Sequence, residues 1–238
     1  MLRKSFAMLV LATVVLGGCN DSAPEAPDTI KDVERIVFFG DSITQAGAEP
    51  GGYVRILEDS LTARYPDKDI EVIGAGISGN KVPDLQARLE RDVLAHDPTT
   101  VVIYIGINDV WHWELPNHTG TSTADYEAGL RAIVDTLQTS GARVLLCTPS
   151  VIGEKHDGTN PQDAMLDEYA GISRSVAQEL GAETCDLRAD FIAYLRAHNT
   201  ENKEKDVLTT DGVHLNPAGN QFVADRILQA LERRRERM

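Results

Sequence analysis

The chain has 238 residues, with 37 Asp and Glu against 23 Lys and Arg, for a formal net charge of −14 at pH 7. So acidic a surface would repel a phosphate backbone, which argues against nucleic acid as a partner. Three cysteines and six histidines without ligand spacing offer no metal site, and Gly40 to Gly47 lacks both a P-loop lysine and a three-glycine dinucleotide fingerprint, so no metal or organic cofactor is expected.

Residues 1–18 read as an export signal. Arg3 and Lys4 are followed by an apolar run, Phe6 to Leu16, too short to span a bilayer. The run ends in Leu16-Gly17-Gly18-Cys19, which resembles the bacterial lipoprotein cleavage box. That resemblance implies loss of residues 1–18, lipidation of Cys19 and attachment to a membrane of the cell envelope, on its periplasmic or extracellular face. An ordinary secretory signal with an incidental cysteine is the alternative. Residues 19–33, with Pro24 and Pro27 among acids and small residues, read as a flexible tether. Residues 34–238 then suit one domain with a well-buried core.

Within that domain, strand and helix patterns alternate. Ile36-Val37-Phe38-Phe39 reads as a strand buried on both faces and ends abruptly in Gly40-Asp41-Ser42. Gly51-Gly52 opens a helix with Tyr53, Ile56, Leu57 and Leu61 on one face, and Glu71 to Ile73 is a short strand. A helix with Pro83 in its first turn carries Leu85, Leu89 and Val93 inward. Val101 to Ile105 is a buried strand, and Ser122 with Asp125 caps a helix bearing Tyr126, Leu130, Ile133, Val134 and Leu137. Arg143 to Cys147 is the fourth strand, Met165 to Leu180 a helix, and Thr184 to Leu187 a short fifth strand. Asn216-Pro217 starts the last helix, which packs Phe222, Val223, Ile227 and Leu231. This order predicts a three-layer α/β/α sandwich on a five-stranded parallel sheet. Cys147 and Cys185 fall in apolar strands and read as small hydrophobes, although an exported protein offers the conditions to oxidise them.

In such a fold ligands meet the carboxyl edge of the sheet. Ser42 lies there, and a serine hydroxyl needs a base, itself oriented by a third group, to become a nucleophile. Asp211-Gly212-Val213-His214 offers both within one turn. Gly76-Ile77-Ser78-Gly79-Asn80 offers a glycine whose backbone N–H can approach substrate closely. Gly106-Ile107-Asn108-Asp109 offers a side-chain amide in a tight turn.

Gly40-Asp41-Ser42, Gly79, Gly106 to Asp109 and Asp211 to His214 occur in that order and closely resemble the four blocks of the SGNH, or GDSL, esterase and lipase family. The resemblance covers Arg35 to about Leu231. It implies a flavodoxin-like fold, Ser42 as nucleophile, His214 as general base and acid, and Asp211 as its orienting carboxylate. It also implies an oxyanion hole from the Ser42 and Gly79 backbone N–H groups and the Asn108 amide. Asp41 is expected to bond backbone around the nucleophile turn. Many relatives carry asparagine where this chain has Gly74, so the second block is expected to lack a brace.

The reaction expected is ester hydrolysis through an acyl-enzyme. Trp111, His112 and Trp113 follow Asn108 directly; the two indoles either wall a sugar ring or acyl chain or pack the loop onto the domain. Val151 to Asn160, with Glu154, Lys155, His156 and Asp157, reads as a polar rim of the site. The polar rim and acidic surface favour short acyl groups, such as acetyl esters on carbohydrate. Lysophospholipase or thioesterase activity is the runner-up, and a lipid-anchored glycan-binding protein without turnover stands behind it. Oligomeric state is not legible.

Overall fold

The computed structural model describes residues 31–233. The stretch read as an export signal, Cys19 and the basic residues beyond Arg233 lie outside them. Five strands form one parallel sheet: β1 (Val33–Gly40), β2 (Asp69–Gly76), β3 (Thr100–Tyr104), β4 (Arg143–Cys147) and β5 (Glu183–Cys185). Their order, β2-β1-β3-β4-β5, is that of a flavodoxin-like sheet. Parallel neighbours require a crossover, and helices supply it on both faces, which is why β1, β3 and β4 are almost continuously apolar and buried.

The helices are α1 (Ser42–Gly47), α2 (Tyr53–Arg64), α3 (Val82–Asp92), α4 (Ile107–Trp111), α5 (Thr123–Thr139), α6 (Asp163–Leu180), α7 (Leu187–His198) and α8 (Pro217–Glu232). Helix α2 packs on α8, while α3 packs on α5 and α5 on α6, forming the two outer layers. Helix α7 meets α8 through Phe191 and Phe222, whose rings stand edge to face at 5.2 Å. The expected caps are present: Ser122 Oγ accepts from the Asp125 N–H at 3.1 Å, and Asn216 Oδ1 from the Gly219 N–H at 2.9 Å.

Three boundaries differ from expectation. The first strand begins at Val33, inside the stretch read as tether, because Val33 pairs with Asp69. Strand β2 runs eight residues rather than three; it pairs with β1 along its whole length, yet as an edge strand it keeps Asp69, Glu71 and two glycines that hide its pattern. The fifth strand stops at Cys185, since the Asp186 side chain accepts from the Ala189 N–H at 3.2 Å and starts α7. Cys147 and Cys185 lie opposite each other in register as free, buried thiols, and burial pushes the Cys147 thiol pKa up.

Register sets up the working edge. Gly40 pairs with Gly76 on one side and Tyr104 on the other, so the chain leaves β1, β2 and β3 at one level. Helix α1 turns back so tightly over this level that side chains are excluded. A Cβ on Gly40 would lie 2.2 Å from Thr44 Oγ1 and 2.4 Å from the Tyr104 carbonyl oxygen. Gly40→Ala is therefore expected to destabilise the domain by about 1–3 kcal/mol, the usual range for overpacking, as measured by urea denaturation.

Candidate active site

Ser42 is the first residue of α1, and Asp41 caps that helix by accepting the Ile43 N–H at 2.9 Å. Asp41 is 2% exposed, and burial raises its carboxyl pKa from 3.8 to about 7. The cap holds the serine hydroxyl at the sheet edge. Ser42 Oγ lies 2.9 Å from His214 Nε2, and His214 Nδ1 lies 2.7 Å from Asp211 Oδ2. An ionised carboxylate only accepts, so Nδ1 carries the ring proton and Nε2 accepts from the serine hydroxyl.

Asp211 also folds its own turn, because Oδ1 accepts the Val213 and His214 N–H groups at 2.9 and 2.8 Å. Partial burial works to raise the Asp211 pKa, but these bonds and the imidazole outweigh it and hold the carboxyl below its ordinary range. The pair is shallow: the His214 and Asp211 side chains are 36% and 49% exposed.

The second and third blocks flank the serine. Gly79 has φ +77°, which only glycine adopts freely, in a turn closed by the Asn80 N–H donating to the Ile77 carbonyl at 3.2 Å. A Cβ added there would meet nothing within 4 Å, so the backbone faces open space. Asn108 is buried on α4 and donates through Nδ2 to the Asn80 carbonyl at 3.1 Å, joining the two blocks and leaving its second amide N–H for another acceptor. Ser42, Asp211, His214, Gly79 and Asn108 thus share one edge.

The aromatic segment is a helix end rather than an open loop. Trp111 packs partly against the core, and the Trp113 indole covers Gly120, where a Cβ would approach it to 2.3 Å. Packing thus occupies part of both rings. His112 is half-buried, and burial, then the nearby Lys81 charge, lowers its pKa.

The GDSL-like lipase/acylhydrolase family profile matches residues 38–222. The acetylxylan esterase of Geobacillus stearothermophilus is 35% identical over 213 residues, covering 83% of this chain and 94% of that protein. A human isoamyl acetate-hydrolyzing esterase 1 homolog is 27% identical, covering 84% of this chain and 82% of its own. A crystal structure of an acetyl xylan esterase, AlAXEase, superposes with a TM-score of 0.80 at 45% identity, over 82% of this chain and 98% of that one. The chain belongs to the GDSL-like lipase/acylhydrolase family. It is an ester-hydrolysing enzyme.

This GDSL-like hydrolase corrects the reading of Val151 to Asn160 as a polar rim. Only Asp157, Gly158 and Thr159 are exposed there, while Val151, Glu154 and Asn160 are buried. Glu154, 0% exposed, accepts the Val207, Leu208 and Thr209 N–H groups at 2.7, 2.6 and 2.6 Å. The Gly153 N–H donates to the Gly212 carbonyl at 2.8 Å. These bonds pin the loop that presents Asp211 and His214. Composition marks Glu154 as one more loop acid, and only the path of residues 204–212 over it reveals its role.

The missing brace at Gly74 is likewise explained. A Cβ there would lie 2.6 Å from the Ala48 Cβ, so no asparagine fits. The second block is held instead from α1, where Gln45 Oε1 accepts the Ser78 N–H at 2.7 Å.

Glu154→Ala should leave the Val207, Leu208 and Thr209 N–H groups without this acceptor, two of them buried, and cost at least about 3 kcal/mol in urea unfolding, with a sharper fall in kcat than in substrate affinity. A separate test concerns pH. A buried carboxyl with a folded pKa near 7 stabilises the fold while both states are protonated, and that contribution is lost as pH rises from about 4 to 7. Asp41→Asn keeps an acceptor for Ile43 and should flatten this part of the stability profile, measured as unfolding free energy at pH 4.5 and 7.5.

Proposed function

We propose that the enzyme removes acetyl groups from O-acetylated carbohydrate through an acyl-enzyme on Ser42. The observation that carries the proposal is the continuous relay from Ser42 Oγ to His214 Nε2 and from His214 Nδ1 to Asp211, at 2.9 and 2.7 Å. Ser42 Oγ attacks the ester carbonyl as His214 Nε2 takes its proton, and Asp211 steadies the imidazolium that forms. The tetrahedral oxygen is met by the Ser42 and Gly79 backbone N–H groups and the free N–H of Asn108. Collapse passes the proton from His214 to the leaving sugar hydroxyl. Water then repeats the sequence on the acetyl-enzyme, releasing acetate and restoring Ser42.

The substrate class rests on two supports. Relatives at 35% and 45% identity over more than four-fifths of this chain are acetylxylan esterases. The relay also opens to water, with Asp211 half exposed, which suits a small acyl group on a bulky, hydrated alcohol. Ile77 and Leu115, at 41% and 38% exposure, are the large apolar residues left near the second block and the tryptophan segment, and offer faces for a sugar ring. Lipidation at Cys19 would tether the domain to the cell envelope, where polymeric glycans are met outside the cytoplasm; the support for this is the sequence pattern of residues 3–19.

The test is acetate release from acetylated xylo-oligosaccharides, alongside p-nitrophenyl esters from acetate to palmitate. Activity should fall with chain length, and Ser42→Ala should lower kcat by at least about 10⁴-fold with the fold intact. A rise with chain length would move the substrate to lipids, and near-normal activity of Ser42→Ala would remove Ser42 from the mechanism.

A further inference from the structure

Arg88 of α3 is 6% exposed and lies beneath the nucleophile turn, its guanidinium 4.5 Å over the Phe39 ring. Its fork is fully used. One terminal nitrogen donates to the Gly40 carbonyl at 2.7 Å, and the other to the Ala75 carbonyl and to Asp92, both at 3.0 Å. Nε donates to Asn80 Oδ1 at 2.7 Å. Gly40 and Ala75 stand at the ends of β1 and β2, where the ladder stops and the chain turns towards Ser42 and Gly79. Asn80 follows Gly79, and its own carbonyl accepts the Asn108 amide. One planar cation therefore contacts the segments leading to Ser42 and Gly79 and, through Asn80, reaches Asn108.

We infer that Arg88 is a positioning residue of the oxyanion hole: through Gly40, Ala75 and Asn80 it sets the aim of the Gly79 N–H and the Asn108 amide relative to Ser42. The inference rests on the acyl-enzyme reading above. Holding two loops about a degree of freedom each is work for a rigid fork with fixed angles, which a lysine ammonium on a flexible stem cannot reproduce. The cation faces one carboxylate, Asp92, with Arg91 and Asp84 also nearby on the same helix.

A double-mutant cycle on p-nitrophenyl acetate tests this with the full chain. Arg88→Lys should lower kcat by about 100-fold with KM little changed, within the range for losing one oxyanion donor, and leave the shape of the pH–rate profile intact. Asn80→Ala, which removes only the link to the second block, should reproduce most of that loss. In an Asn108→Ala background both losses should shrink, because one of the two groups being aimed is gone and only the part that acts through the Gly79 N–H remains. Additive losses in that background, or a loss carried by KM alone, would show that Arg88 merely supports the fold and would overturn the inference. If Arg88→Lys does not fold, Asn80→Ala alone decides by the same criterion. Ser42→Ala separates the two levels: an active Ser42→Ala sinks the acyl-enzyme reading itself, whereas an inactive one with additive Arg88 losses sinks only the positioning role.

Discussion

A single buried carboxylate, Glu154, holds the loop that carries Asp211 and His214. His214 and Ser42 are separated by 172 residues, and the segment that carries the histidine has almost no regular structure of its own. Residues 199–216 cannot be placed by a ladder or a helix, so their backbone donors need partners from elsewhere. Glu154 supplies three acceptor contacts from the loop after β4, and the Asn199 amide closes the same knot by donating to the Glu154 carbonyl at 2.8 Å. Burying an unpaired carboxylate is costly; three short charge-assisted bonds offset that cost and turn a wandering loop into a fixed arm.

The other half of the site follows from parallel strands ending together. Gly40, Gly76 and Tyr104 share one level, so the chain makes three turns side by side. Helix α1 packs into this crowded level; a Cβ on Gly76 would lie 2.1 Å from the Gln45 backbone nitrogen. Glycine at these positions is therefore a packing requirement, whereas at Gly79 it is a conformational one, φ +77°. The density has an electrostatic consequence. Asp41 caps α1 from a dry position, and Asp109, 0% exposed behind the Asn108 turn, is likewise raised to about 6 by burial.

One concavity away from this edge is held by charge. A cleft of about 410 Å³ between α6 and α7 is lined by Arg174, Arg188 and Arg196, but Arg188 is engaged by Asp163 and Asp167 at 2.9 and 2.7 Å, and Arg174 by Asp186 at 2.7 Å. Those charges bind the two helices to each other. The Ser42, His214 and Asp211 contacts sit on an open surface, with the His214 and Asp211 side chains 36% and 49% exposed, which suits one acyl group of a large hydrated molecule.

Sequence by itself determined the alternation of strands and helices, the parallel sheet, and the four short stretches that the fold gathers at one edge, because each depends on local signals: apolar runs, caps, and turn residues at fixed offsets. It misjudged β2 and missed α7 where the local signal was weak, an edge strand broken by glycines and a helix started by a single aspartate. Only the tertiary structure decided what holds those stretches together. Glu154, Gln45 and Arg88 are ordinary polar residues in composition, and Trp111 and Trp113 were equally readable as platform or packing. Glu154, Gln45 and Arg88 reach Val207, Ser78 and Gly40, tens of residues away, and a hydrogen bond between distant segments leaves no periodicity in a chain for the eye to find.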